Sequence, residues 1–411
     1  MDEMTIVGFR ALDDLLHEFE QVGLGELPEL TSRCAARLGL RDVTIYLADV
    51  QQDVLIPMPG SGTPEDDPEP PVLDIDDSLA GWSYRTASLR VTEAETGGLQ
   101  LWTPMMDGVE RMGVLGLRGD RLDAPTLRFC RSFATLLTLI VVSKGSHSDI
   151  FTGVKRREPM RLPAEMVWAF LPPRTLQAQN VLSTAVLEPA YSIGGDGFDH
   201  SLIDHTLHTT ILDSMGHDLK AGLTTSVALA GCRNARRSGA DLKDLTGNVD
   251  DTLAAEFPDR YCTGVFTHLD LPTGELTWTN AGHPPPLLIR DQRLMHGALE
   301  RPPESPLGLG TFTGHERHVH HQQLQPRDRV LLYTDGVTEA RSDSGEMFGL
   351  DTFADFIIRA TAAGEPAYEV LRRLIHSILA HHNHQLSDDA TIVLFEWQPG
   401  PQLPPVTPVL L

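Results

Sequence analysis

In the C-terminal half of the chain, short apolar runs repeatedly end on an aspartate or begin just after one. Asp213 follows Thr209-Thr210-Ile211-Leu212, Asp335 follows the run Val330 to Tyr333, and Asp388 precedes Thr391 to Phe395. Asp196 follows Gly194-Gly195, where the backbone can turn sharply. Runs of this kind read as strands of a core, which places the carboxylates at strand ends. If the strands pair in one sandwich, several carboxylates converge on one edge. Like charges held that close cannot all stay ionised without a cation. Carboxylate oxygens completed by water suit magnesium or manganese. Two such ions about 3.5–4 Å apart can activate a water and clamp a phosphate. Taken singly, an Asp beside a Gly is ordinarily a turn former or helix cap, so the weight lies in the ordered set.

The rest of this half supports a sandwich. Strand-like runs cover Leu182 to Leu187, Thr206 to Leu212, Gly264 to Leu269, Glu275 to Asn280, Pro286 to Arg290, Arg329 to Tyr333 and Thr391 to Trp397. Helical periodicity fills Lys220 to Ala235, Leu242 to Phe257, Leu350 to Ala363 and Ala367 to Asn383. Many strands with two helical pairs predict an α+β domain, a central β-sandwich with helices outside. It is expected over 176–397, followed by a Pro-rich, disordered tail at 398–411.

Residues 5–145 read as a separate α+β unit, an antiparallel sheet with helices. Helices are expected over Ala11 to Val22, Glu29 to Leu38 and Ala124 to Val142. Strands are expected at Val43 to Leu47, Val54 to Pro57, Leu99 to Met105 and Met112 to Leu117, with Asp107-Gly108 as a hairpin turn. A connector spans 146–175. Within it, Ala164 to Leu171 is a helix bounded by Pro163 and Pro172-Pro173. Its run of Met166, Val167, Trp168, Phe170 and Leu171 is too apolar for an exposed linker. It should pack on the sandwich or on a second copy of itself in a homodimer.

Composition narrows the partners. A net charge of −24 in 411 residues disfavours nucleic acid and anionic membranes. The four cysteines form no CxxC pair, which argues for reduced thiols in a cytoplasmic protein. The acidic start lacks the basic region of a signal peptide, and the apolar run Phe133 to Val142 is short for a membrane span. His315, His318, His320 and His321, and His376, His381, His382 and His384, read as solvated faces rather than zinc sites.

Five motifs occur in fixed order: Gly194-Gly195-Asp196, Asp213-Ser214-Met215-Gly216-His217, Ala281-Gly282-His283-Pro284-Pro285, Thr334-Asp335-Gly336-Val337-Thr338-Glu339-Ala340 and Asp388-Asp389-Ala390-Thr391. Together they resemble the bacterial SpoIIE/RsbU-like branch of the PPM (protein phosphatase 2C-like) serine/threonine phosphatases. Leu307-Gly308 and Phe348-Gly349 also fit that pattern. The N-terminal region, with Leu79 to Ala87 as a helix before its last strands, resembles a GAF-type sensor domain, which implies a small-molecule or protein signal.

The phosphatase resemblance implies two divalent cations. Asp213 matches the carboxylate that bridges them. Asp196 and the Ser214 carbonyl match ligands of one, and Asp335 and Asp388 ligands of the other. A register slip would substitute Asp389 for Asp388. A metal-bound water would attack phosphoserine or phosphothreonine directly, on a phosphoprotein such as an anti-sigma factor antagonist. Ser214 and Asp218 stand where the family usually has glycine. Ser214 is tolerated only if the backbone there accepts a Cβ, and Asp218 either favours the start of the next helix or adds charge to the site. His217 and His283 read as loop-bonding groups before general acids. A pseudophosphatase signalling module and a phosphatase of small phosphoesters are the alternative functions.

Overall fold

The computed structural model of the chain describes residues 3–60, 69–94, 97–145, 147–302, 304–310, 317–339, 348–381, 386 and 388–399. Two compact units emerge, Met1–Pro159 and Met160–Leu411.

The first unit contains, in chain order, α1 (Glu3–Glu18), α2 (Leu27–Ala36), β1 (Arg41–Ala48), β2 (Val54–Pro57), β3 (Leu73–Asp74), α3 (Leu79–Thr86), β4 (Arg90–Glu93), β5 (Leu99–Asp107), β6 (Glu110–Gly119), α4 (Ala124–Gly145) and α5 (Asp149–Val154). Its strands form one antiparallel sheet ordered β3-β2-β1-β6-β5-β4. Alternation in β1 explains its two cores. Ile45 and Leu47 pack with Leu15, Leu30, Phe133 and Leu137 of α1, α2 and α4. Tyr46 and Ala48 face the opposite way and pack with Ala80 and Tyr84 of α3. Two strands escape the sequence pattern because β3 is two residues long and β4 is mostly exposed. The 22 residues of α4 are long and apolar enough, at mean hydropathy 1.4, to cross a bilayer by those two criteria. Phe129, Cys130, Phe133, Leu137 and Val141 of that helix are buried in the unit's own core.

The second unit contains α6 (Leu162–Phe170), β7 (Thr175–Ala178), β8 (Val181–Glu188), β9 (Asp196–Ile203), β10 (Thr206–Ser214), α7 (Leu219–Arg237), α8 (Leu242–Glu256), β11 (Cys262–Asp270), β12 (Glu275–Ala281), β13 (Leu287–Arg290), β14 (Arg293–Leu294), β15 (His320–Gln323), β16 (Arg329–Tyr333), α9 (Asp335–Thr338), α10 (Leu350–Ala362), α11 (Ala367–His381) and β17 (Ala390–Trp397). One sheet runs β15-β12-β11-β10-β9 and the other β14-β13-β16-β17-β8-β7. Phe198, Ile211 and Val265 of the first meet Ala185, Val330, Val393 and Phe395 of the second. Leu212 and Phe266 face outward onto Ala228, Leu229 and Val249 of α7 and α8. Leu331, Ile392 and Leu394 face outward onto Phe353, Ile357, Leu371 and Leu374 of α10 and α11. The result is the expected sandwich, in four layers. β17 is buried along its whole length, which is why its middle, Ile392 to Phe395, is continuously apolar rather than alternating.

The apolar helix of the connector packs inside this second unit. Ala164 and Val167 of α6 are fully buried, and the Trp168 indole donates to the Ala190 carbonyl at 2.8 Å. Residues 400–411 of the Pro-rich tail lie outside the described residues.

Candidate metal centre

β9 and β10 pair antiparallel with Asp196 directly opposite Asp213. The neighbouring sheet contributes Asp335, the first residue of α9 after β16, and Asp388-Asp389, just before β17. The carboxylates therefore do meet at one edge of the sandwich. Burial pushes Asp213 up to about 7, with Asp335, Asp388 and Asp389 adding to the rise. Burial also holds Asp196 well above the usual carboxylate range, helped by Asp213 and Asp389. Asp335 is raised by burial and then by Asp388. Among the described residues none of these carboxylates is ion-paired with Arg or Lys.

The glycines explain how the chain gets two aspartates so close. A Cβ on Gly194 would lie 2.1 Å from the His217 Cα, and one on Gly195 would lie 2.4 Å from the Ser214 carbonyl oxygen. The turn before β9 thus rests directly on the loop after β10. Across the sandwich, Asp389 Oδ2 accepts from the backbone N–H groups of Gly194 and Gly195 (2.8 Å each) and of Asp196 (3.3 Å). Those donors use one oxygen of Asp389 to hold the turn, whereas Asp388 is exposed. The two adjacent aspartates differ in position: Asp389 is buried, whereas Asp388 is exposed and accepts the Asp389 backbone N–H on Oδ1 at 2.9 Å.

Asp196 is held in turn. Its Oδ2 accepts from Thr391 Oγ1 at 2.6 Å and from Thr334 Oγ1 at 2.8 Å. The Thr391 backbone N–H donates to Thr334 Oγ1 at 2.9 Å. The two threonines of the last two motifs therefore orient the carboxylate of the first. Sequence reasoning passed over both, although each sits inside a quoted motif beside an aspartate.

His283 is 4% exposed and bridges the two sheets. Its Nε2 lies 3.0 Å from the Tyr333 carbonyl, which can only accept, so Nδ1 is the acceptor of the Thr263 hydroxyl at 2.8 Å. Burial holds the imidazole down to about 3, so it stays neutral and structural. His217 is exposed in the loop after β10.

The two departures from glycine are accommodated differently. Ser214 is buried at the end of β10, and its φ is not among the positive values of the chain, so its Cβ causes no strain. Its hydroxyl is hydrogen-bonded to Thr225 Oγ1 at 2.8 Å, and Thr225 donates to the Gly195 carbonyl. Asp218 caps α7 by accepting from the Ala221 N–H at 2.9 Å and pairs with Arg260 at 2.7 Å. It lies outside the carboxylate cluster.

All the donors are carboxylate or carbonyl oxygens, a set that fits magnesium or manganese rather than zinc. Among the described residues no three His, Cys, Asp or Glu side chains are grouped so that they could hold a metal ion by themselves. An open arrangement completed by water is what a hard cation that keeps part of its hydration shell accepts. Of the histidines in clusters, His318 and His321 pair with Glu304 and Glu275, and His376 lies beside Arg372. His315, His382 and His384 lie outside the described residues.

Residues 203–398 match the protein family described as Stage II sporulation protein E (SpoIIE). Asp213, Asp335 and Asp388 fall within the matched span, and Asp196 just precedes it. IcfG of Synechocystis is 24% identical over 275 residues, covering 60% of this chain and 42% of that protein. Phosphoserine phosphatase RsbP of Bacillus subtilis is 27% identical over 213 residues, 50% of this chain and 49% of RsbP. The chain thus spans about half the length of these curated relatives. A crystal structure of the RsbU and RsbW domains of Rv1364c from Mycobacterium tuberculosis superimposes with a TM-score of 0.46 at 23% identity, covering 56% of this chain and 63% of that one.

Ser214→Gly removes a buried hydrogen bond and relieves no strain. It is expected to lower stability by about 1 kcal/mol in urea denaturation without raising turnover. A more stable or faster variant would show that the Ser214 Cβ is strained after all.

Proposed function

We propose that the chain is a metal-dependent protein serine/threonine phosphatase acting on a regulatory phosphoprotein in the cytoplasm. The observation that carries this reading is the facing pair Asp196 and Asp213, joined by Asp335 and Asp388 with no basic partner among the described residues. Asp213 would bridge two divalent cations, manganese or magnesium. Asp196 and the Ser214 carbonyl would complete one site, and Asp335 and Asp388 the other. When bound, the cations supply Lewis acidity toward phosphate oxygens and an activated water. The protein's own part is to hold the carboxylates in place: Thr334 and Thr391 aim Asp196, and Asp389 and His283 fix the two sheet ends relative to each other. Phosphoserine is the preferred substrate class, supported by the name of the relative RsbP, with an anti-sigma factor antagonist as the type of protein. The features that would favour a pseudophosphatase are Ser214 and Asp218, and neither intrudes on the carboxylates.

The N-terminal unit is proposed to be a GAF-like sensor that controls this activity. The support lies where the chain enters the second unit. Arg233, paired with Asp199 at 2.8 Å, also donates to the Phe170 carbonyl at the end of α6. His200 Nε2 is 2.8 Å from the Pro173 carbonyl. Asp199 and His200 are on β9, the strand that begins with Asp196, so a shift of α6 would pull on that strand.

Asp213→Asn is expected to lower turnover of a phosphoserine peptide by at least about a hundredfold with the fold retained, and a chelator should do the same to the unaltered chain. Full turnover of either would overturn the reading.

Linkage gives a second check. The raised carboxyls keep their protons in the fold, so their contribution to metal-free stability is full below the usual carboxylate range and is lost as pH rises toward about 7. Manganese should therefore raise Tm more at about pH 8 than at about pH 5, where protons compete with it. Equal shifts at the two pH values would count against cation binding by these groups.

For control by the sensor, the full chain is compared with a Trp168→Ala, Phe170→Ala variant across manganese concentrations. The variant is expected to need several-fold more manganese for half-maximal rate. Superimposable curves would reduce α6 to packing.

A further inference from the structure

The loop between β10 and α7 carries the Ser214 carbonyl and adjoins Asp213, yet it is polar and exposed from Gly216 onward. One face of it rests on Gly194-Gly195. The other is gripped by the two residues that precede β11. The Met215 N–H donates to the Tyr261 carbonyl at 3.1 Å, and the Met215 carbonyl accepts from the Arg260 guanidinium at 2.8 Å. Both main-chain polar groups of Met215 are thus taken by adjacent residues of one segment. The guanidinium's other nitrogen reaches Asp218 at 2.7 Å, so it spans the loop from its first turn to the cap of α7. Gly216 has φ +87°, and a Cβ there would lie 3.3 Å from the guanidinium, so the loop curls closely around it. The Arg260 side chain is 14% exposed and the Asp218 side chain 53% exposed.

We infer that Arg260 and Asp218 form a latch that positions the loop carrying the Ser214 carbonyl, and that the divalent-cation affinity of the site depends on this latch. Arg260 is a positioning residue: its guanidinium bonds the Met215 carbonyl and Asp218 and none of the clustered carboxylates. It acts through Met215, whose carbonyl it fixes one residue beyond the proposed ligand carbonyl. Asp218 keeps the guanidinium in place and caps α7 with its other oxygen. A planar, bidentate donor suits this task, because lysine offers a single charged point and cannot serve both acceptors in the same geometry. The inference rests on the metal reading of the previous section. It adds that a pair outside the carboxylate cluster sets how firmly a cation is held. It also gives Asp218 a role that a glycine at that position could not play.

The test uses the full chain and two readouts. Arg260→Met keeps the aliphatic stem and removes the guanidinium. Asp218→Asn keeps a cap acceptor for α7 and removes the charge. Amide hydrogen exchange over residues 213–218 should rise at least about tenfold in Arg260→Met and less in Asp218→Asn, with β17 and α10 unchanged. Manganese binding by calorimetry should weaken by about tenfold or more in Arg260→Met, with Arg260→Lys falling in between. Unchanged exchange overturns the latch. A loosened loop with wild-type manganese affinity overturns its link to the metal. If the unaltered chain binds no manganese, the metal reading fails, and the link to the metal with it. The exchange data still decide, on their own, whether Arg260 holds the loop.

Discussion

One carboxylate oxygen joins the two sheets at the site. Asp389 Oδ2, just before β17, takes three consecutive backbone N–H groups of the turn that starts β9. Burial raises the Asp389 carboxyl above the usual carboxylate range, and the three amide donors on one oxygen pull against that rise. Everything else at the site inherits its position from that clasp. The turn sets Asp196 opposite Asp213, and the same turn supports the loop beyond β10. Close approach makes side chains impossible at the key backbone positions. A Cβ on Gly336 would lie 2.0 Å from the Asp389 carbonyl oxygen, just as Gly194 and Gly195 admit none.

Around this clasp, residues of one type divide into different tasks according to their hydrogen bonds. Asp388 and Asp389 are neighbours, but Asp389 takes three amide donors from the turn that starts β9, whereas among the described residues Asp388 takes only the N–H of Asp389 itself. Thr334 and Thr391 serve the Asp196 carboxylate. Thr225, also a buried hydroxyl, serves the Gly195 carbonyl and Ser214. His283 is held neutral between a carbonyl and a hydroxyl, a geometry that positions strands and engages both ring nitrogens.

The sandwich was legible because its strands are long, apolar and bounded by helices with clear periodicity. The carboxylates were legible because each stands at the end of such a run. β9 was not, since Asp199 and His200 interrupt its pattern. Both polar side chains are buried and satisfied by partners distant in sequence, Arg233, Arg236, Ser183 and the Pro173 carbonyl. The distinction between Asp388 and Asp389 was equally hidden, because it depends on which of two adjacent carboxylates meets a turn at the far end of the domain. The conformation at Ser214 belongs to the same class. A glycine replaced by serine suggests strain in a sequence, and only the backbone angle shows that there is none.

The clasp also has a consequence for how the domain comes into being. Asp389 and the amides it binds are separated by 193 to 195 positions along the chain. Contacts that distant form late, because a large loop must close before they stabilise anything. During synthesis the ribosome releases the turn of Gly194 and Gly195 long before it makes the strand that secures it. A nascent chain that stops short of Asp389 has β9, β10 and their aspartates, but lacks the carboxylate that fixes the turn and the β17 that lies between β8 and β16. The carboxylate edge is therefore a property of the finished domain, and a partly made chain should lack the activity proposed for it.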